Sequence, residues 1–202
     1  MGLFRRKKRK NKDMSMVSFC PGDIAIDCGA NVGEITGLML QKGATVHAFE
    51  PNVHAFKILQ QKYGNHPQAH CFNQAVLDRT QTMRLFMHAD ADQDKVKWST
   101  GSSLLADKIN VCVADYIDVQ VIDLIEYITK LGKQVKVLKL DVEGAEYAIL
   151  GKLLDSEVID RIDHIFVETH EKKIPSIQKE ARRIRRRIFW RRLGSKIHLD
   201  WR

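Results

Sequence analysis

The 202-residue chain has no apolar run approaching the ~20 residues that cross a bilayer as a helix, which excludes an ordinary membrane-spanning helix. Its N-terminus is basic but lacks the apolar core and small-residue cleavage site of a secretory signal. Met1-Gly2-Leu3-Phe4-Arg5-Arg6 has Arg where a myristoylation motif needs Ser or Thr. Cys20, Cys28, Cys71 and Cys112 are scattered, with no C-x-x-C pair, so neither a disulfide framework nor a cysteine zinc site is indicated. Buried free thiols in a reducing cytoplasm are the expectation. No internal repeat is present, which excludes a solenoid.

The net charge of +8 belongs to two segments. Residues 1–12 hold seven Lys or Arg and no acid, and residues 182–196 hold eight and no acid. Taking those 15 from the 33 basic residues leaves 18 against all 25 acids, so the rest of the chain is about −7. The first segment, Phe4 to Lys12, has no periodicity and reads as disordered. We therefore expect a basic tail over residues 1–20 and one domain over 21–202. Residues 5–12 and 182–192 are the candidates for contact with an anionic partner.

The richest information lies between Ile24 and Pro51. A short apolar run ends in Asp27, Gly29, Asn31 and Gly33; an amphipathic segment follows; a second apolar run, Ala44 to Phe49, ends in Glu50-Pro51. Strand, glycine turn, helix and strand with a terminal carboxylate make half of a doubly wound nucleotide-binding fold. Gly29 and Gly33 allow the turn. Glu50, 17 residues after Gly33, stands where a carboxylate can accept from both ribose hydroxyls. A dinucleotide fingerprint would carry glycine where Asn31 and Glu34 stand, and Glu34 would repel a pyrophosphate at the helix N-terminus. The spacing thus disfavours NAD and favours a nucleoside without phosphates. S-adenosylmethionine fits, with its ribose at Glu50 and its sulfonium near Asp27.

Further along, Asn52 reads as the N-cap of a helix ended by Gly64. Ala69–Phe72 and Met83–Met87 read as strands, Val111–Val113 and Val119–Val121 as short strand pieces, and Ile122–Leu131 as a helix. Ala89 to Ser103 is a polar loop. Val135–Leu140 is continuously apolar but for its lysines, as in a sheet covered on both faces. It runs into Asp141-Val-Glu-Gly-Ala-Glu146 and a helix to Leu154. Ile162–Val167 ends in Glu168, Thr169 and His170; Ser176–Leu193 is a long helix; Lys196–Trp201 is a final strand. Polar residues therefore collect at the carboxyl ends of the strands, where open parallel sheets bind ligands.

Two motifs, Asp27-x-Gly-Ala-Asn-x-Gly33 with Glu50-Pro51 and Lys139-Leu-Asp-Val-Glu-Gly-Ala-Glu146, resemble the FkbM family of S-adenosylmethionine-dependent methyltransferases. Weaker similarity runs through Asn73–Asp78, Ser102-Ser103 and His198–Trp201, so that residues 23–202 are covered. The resemblance implies a Rossmann-like α/β fold, a mostly parallel seven-stranded sheet with helices on both faces, and O-methylation of a hydroxyl, often on a sugar. It implies that Asp27, Gly29 and Gly33 shape the cofactor loop, that Asn31 holds that loop or the amino-acid end, and that Glu50 binds ribose. Asn73 or Ala75 would lie near the adenine, and Asp141 would face the methyl donor.

An aliphatic hydroxyl needs a base before it attacks. Asp141, Glu143, Glu168 and His170 are the candidates, and His170 is preferred because an imidazole titrates near neutral pH. Glu146 reads only as a favourable charge at a helix N-terminus. The carboxylates would also suit a divalent cation, but position alone suggests it, and no metal is expected. The expected acceptor is a small molecule or glycan. The competing reading is a methyltransferase-like protein whose basic ends bind nucleic acid or an anionic surface.

Overall fold

The computed structural model describes residues 14–88, 102–105, 108–109 and 111–201. The basic cluster at residues 5–12 and the polar stretch at 89–101 lie outside these residues. β1 (Ile24–Cys28), β2 (Thr45–Phe49), β3 (Ala69–Phe72), β7 (Val135–Leu140), β8 (Ile162–Val167) and β9 (Ile197–Leu199) form one sheet in the order β3-β2-β1-β7-β8-β9. Every pairing in it is parallel. The order reverses between β1 and β7, and this places the crevice of an open α/β sheet at their carboxyl ends.

Both faces are covered, and alternate residues of each strand say by what. Ala25, Val46, Ala48, Val137 and Phe166 pack with Met39, Leu40 and Leu59 from α1 (Glu34–Gln41) and α2 (Val53–Tyr63). Ile24, Ile26, Phe49, Leu138 and Ile165 pack on the other side with α3 (Leu124–Leu131), α4 (Glu146–Leu154) and α5 (Gln178–Trp190). This is the Rossmann-like arrangement, and it explains why all five residues of β1 are buried.

Among the described residues the parallel sheet has six strands, against the seven that the resemblance implies. The residues after β3 build a separate three-stranded sheet, ordered β4-β6-β5, from β4 (Ala75–Leu77), β5 (Gln81–His88) and β6 (Val111–Asp123). Only Asn73 and Gln74 separate β3 from β4, too few for the crossover that a parallel neighbour requires. β4 therefore pairs with β6, which β5 lines in antiparallel register. The two short pieces expected at Val111–Val113 and Val119–Val121 belong to this one long strand. Between them Asp115, Tyr116 and Asp118 face solvent, which hides the strand from a hydrophobicity reading.

Helix ends follow local chemistry. Asn52 accepts from the amides of His54 and Ala55, and Asp123 from those of Ile125 and Glu126. α1 begins at Glu34 because Asn31 and Gly33 before it take left-handed backbone angles, φ 50° and 86°. All four cysteines are free, with Cys28 buried and Cys20 exposed. Among the described residues no helix is long and apolar enough to cross a membrane.

One contact sets the spacing of the crevice. Gly29 has φ +75°, and a Cβ there would lie 1.8 Å from the carbonyl oxygen of Asp141. Gly29→Ala should therefore cost more than the ~1–2 kcal/mol of a left-handed alanine alone. Urea unfolding should show a clearly lowered midpoint; a wild-type midpoint would mean that the loop and β7 can move apart freely.

Candidate active site

The crevice between the ends of β1, β2, β7 and β8 encloses a cavity of about 470 Å³, within the usual range of small-molecule sites. Its floor is the β1–α1 loop. The amides of Gly29 and Ala30 both donate to the carbonyl of Phe49, at 3.0 and 2.9 Å, and so fix the loop to the end of β2. The Asn31 amide donates to Glu50 Oε2 and the Asn52 amide to Glu50 Oε1, each at 2.8 Å. Glu50 is thus a buried carboxylate held by two backbone donors, with one lone pair of each oxygen left over. Burial raises its pKa from 4.5 to about 7, although the two amides pull the other way.

Beneath the loop lies a buried ion cluster. Lys139, on β7, donates to the Gly29 carbonyl at 2.6 Å and lies 3.2 Å from Asp27 and 3.5 Å from Asp141. Burial alone would lower its pKa, but the Asp27 and Asp141 carboxylates outweigh that and raise it. The other oxygen of Asp27 accepts from Thr36 at 2.7 Å.

On the β8 side, His170 is held between carboxylates. Its Nδ1 lies 2.9 Å from Glu146 Oε1, and Glu146 also accepts from the amides of Val142 and Gly144. A fully buried carboxylate with these donors is an acceptor, so the imidazole hydrogen sits on Nδ1 and Nε2 is turned to the crevice. Nε2 lies 3.1 Å from Glu143, 3.9 Å from Asp141 and 4.0 Å from Glu168. Burial would lower the His170 pKa, but Glu146, then Glu143 and Asp141, raise it. Glu143 has left-handed backbone angles, φ 54°, and its carboxylate lies 2.7 Å from the buried Lys108 ammonium. Ser103 steadies the same turn by donating to the Glu143 carbonyl at 2.7 Å. One ligand atom each from Asp141, Glu143 and His170 lie within 4.8 Å of one another, close enough to hold a metal ion. Lys108 already supplies positive charge on one side of that group.

The residues singled out from sequence fall into two sets. Gly29, Asn31, Glu50, Ala75, Asp141, Glu143 and His170 line the cavity. Asp27, Gly33 and Asn73 do not. Asp27 is wholly buried behind the loop, where it meets Thr36 and Lys139. Gly33 packs against Leu59 and Tyr63. Asn73 turns its amide to the carbonyls of Glu50 and Pro51, bracing the end of β2, and leaves the cavity wall to Ala75. Two organising residues went unread. Lys139 is a charge in a strand buried on both faces, which by itself demands paired acids. Glu146, read as a helix-end charge, is the partner of His170.

A parallel sheet of this order, with a glycine loop and a polar crevice at the strand ends, defines a Rossmann-like α/β fold. The methyltransferase FkbM domain model matches residues 27–197, and the chain belongs to that family of methyltransferases. It is 28% identical over 178 residues to the 31-O-demethyl-FK506 methyltransferase FkbM of Streptomyces tacrolimicus, a match spanning 77% of this chain and 68% of that protein.

The raised pKa of Glu50 has a measurable consequence. Between the unfolded value of 4.5 and about 7 the folded state holds a proton that the unfolded state has released. Stability contributed by the neutral carboxyl is therefore present below pH 4.5 and lost as pH rises to about 7, by on the order of 3 kcal/mol. Denaturant unfolding across this window should give Glu50→Gln a slope more favourable to high pH than wild type. Parallel slopes would show that Glu50 ionises normally.

Proposed function

We propose that the protein is an S-adenosylmethionine-dependent O-methyltransferase acting on a hydroxyl of a sugar, glycan or related small molecule. The observation that carries the reaction type is His170, clamped through Nδ1 by Glu146 with Nε2 turned into the crevice beside Asp141 and Glu143. The relative's name places its methyl group on an oxygen, which agrees.

The residues present fit the cofactor. Glu50 keeps a free lone pair on each oxygen for two ribose hydroxyls, and Gly29, Ala30 and Ala75 leave room beside it. Asp141 puts a carboxylate on the wall where a cationic donor would lie. When bound, S-adenosylmethionine supplies an electrophilic methyl group on a sulfonium. The protein's own part is to align the acceptor oxygen and to take its proton. Neutral His170 accepts that proton at Nε2, and Glu146 stabilises the resulting imidazolium while holding the ring in place. Glu143 and Asp141 flank Nε2 and favour the same charge. The arrangement resembles the base-and-orienter pair of hydrolytic triads, here used on an acceptor hydroxyl.

Two experiments test this reading. Calorimetry with S-adenosylhomocysteine should give micromolar-range binding, weakened about thirtyfold, ~2 kcal/mol, in Glu50→Ala. Undiminished binding in that variant would sink the ribose assignment. The second needs an acceptor, found by screening glycans and hydroxylated metabolites for a mass gain of one methyl. His170→Ala should then lose about 10²- to 10⁴-fold in turnover with S-adenosylhomocysteine affinity unchanged. Because the His170 pKa is raised, its base form appears only above the ordinary value of 6.5, so the wild-type rate should climb with pH through one ionisation above it. Glu146→Gln should move that ionisation to lower pH and reduce the rate. Full activity in His170→Ala would transfer the role to Glu143 or Glu168, and activity lost to a chelator would make Asp141, Glu143 and His170 metal ligands instead.

A further inference from the structure

Seven arginines and no acid occupy residues 182–192, and they divide by what they touch. Arg185 is held by Glu171 and Asp200, at 2.7 and 2.8 Å; Arg187 pairs with Asp155; Arg191 donates to the Leu154 carbonyl. These three fasten α5 to the body of the protein. Arg182, Arg183 and Arg186, with Lys179, form no salt bridge among the described residues. The buried stripe of α5 is Ala181, Ile184 and Ile188. At about 100° per residue, Lys179, Arg183, Arg186 and Trp190 lie on the opposite side, with Arg182 beside them. Glu180 is turned away, toward Gly151 of α4.

This outer face ends in two bulky rings. Phe189 is 72% and Trp190 74% exposed, with centroids 5.7 Å apart and planes at 76°. Trp190 and the cations together line a shallow groove of about 500 Å³. Adjacent large apolar side chains at this exposure are unfavourable in water and suit a surface that is both apolar and anionic.

We propose that this face of α5 docks the protein on an anionic lipid surface. The cations pair with acidic headgroups, and Phe189 and Trp190 enter the headgroup region, where aromatic rings are favoured. Single-stranded nucleic acid is the other polyanion to consider, but base stacking uses ring faces open in succession along a groove. Here the two rings meet edge to face at one end of the cationic row, which is the shape of a wedge. α5 also runs to the edge of the sheet from which the strands start, since Arg187 and Arg191 reach Asp155 and Leu154 at the far end of α4. None of the residues of this outer face lines the crevice, so docking uses none of its groups.

The test is co-sedimentation of the full chain with phosphatidylcholine–phosphatidylserine vesicles and with phosphatidylcholine alone, at near-physiological salt. Wild type should bind only the mixed vesicles. The triple variant Arg182→Gln, Arg183→Gln, Arg186→Gln should bind about a hundredfold more weakly, at roughly a tenfold loss for each one to two cations. Phe189→Ala with Trp190→Ala should weaken binding severalfold, and the fluorescence blue shift on vesicle binding should vanish in Trp190→Phe. S-adenosylhomocysteine binding should stay as in wild type throughout, separating this face from the crevice. Vesicle binding undiminished in the triple variant would assign it to residues 5–12 and overturn the proposal. So would binding to single-stranded nucleic acid but not to vesicles, or to neither.

Discussion

The buried ammonium of Lys139 is the interaction on which the crevice depends. An uncompensated charge at this depth would cost several kcal/mol, so its surroundings must supply oxygens. They come from both neighbours of the switch point: Asp27 and the Gly29 carbonyl from the end of β1, and Asp141 from the end of β7. Parallel pairing puts Asp27 directly opposite Lys139, so the contact follows from register. Once made, it draws the β1–α1 loop down onto β7, where only a residue without Cβ can pass the Asp141 carbonyl. Thr36 then ties α1 to the same carboxylate. A ligand-facing loop is thereby held from behind by groups no ligand needs to touch.

The second polar network applies the same principle to a buried side chain that lines the crevice. Glu146 is fully buried, yet its oxygens are occupied by two backbone amides and the His170 ring. Those amides belong to the turn that carries Glu143 in a left-handed conformation. Strain of about 1–3 kcal/mol at such a position persists only where neighbours over-determine it. Here they are Glu146 from within the turn, Ser103 at the Glu143 carbonyl and Lys108 at its carboxylate. The result is an imidazole of fixed tautomer and raised pKa, aimed at a crevice whose far wall is Glu50.

What was legible in the sequence was what local chemistry and periodicity determine. β1, β2, β3, β7 and β8 could be read because continuous apolar runs are bounded by turn residues, and Asn52 and Gly64 bracket α2. The glycine loop and Glu50 were readable because their spacing has a mechanism. The second sheet was read only in pieces, at Met83–Met87, Val111–Val113 and Val119–Val121: β4 has three residues, and β6 passes through Asp115 and Asp118 where its outer face meets water. Such a strand exists because β5 pairs with it, a non-local fact. The packing of Asp27 was unreadable for a related reason. Residue type and position tell that a carboxylate ends a strand, but a partner 112 residues away, Lys139, decides which way it faces. Glu146 lost its role in the same way, since its partner lies 24 residues on.

The distribution of charge gives these parts a common orientation. Asp141, Glu143 and Glu168 gather at the carboxyl edge of the sheet, whereas Lys179, Arg182, Arg183 and Arg186, without a salt bridge among the described residues, line a groove on the outer side of α5. Topology makes this separation possible, because α4 carries the chain from the crevice back to the strand starts and α5 packs beside it. Acidic groups in the crevice raise the local concentration of a cationic ligand, while a basic helix face is drawn to an anionic one. An anionic plane facing this protein would attract the outer side of α5 and repel the carboxylates of the crevice, so the two groups of charge favour one orientation over its reverse.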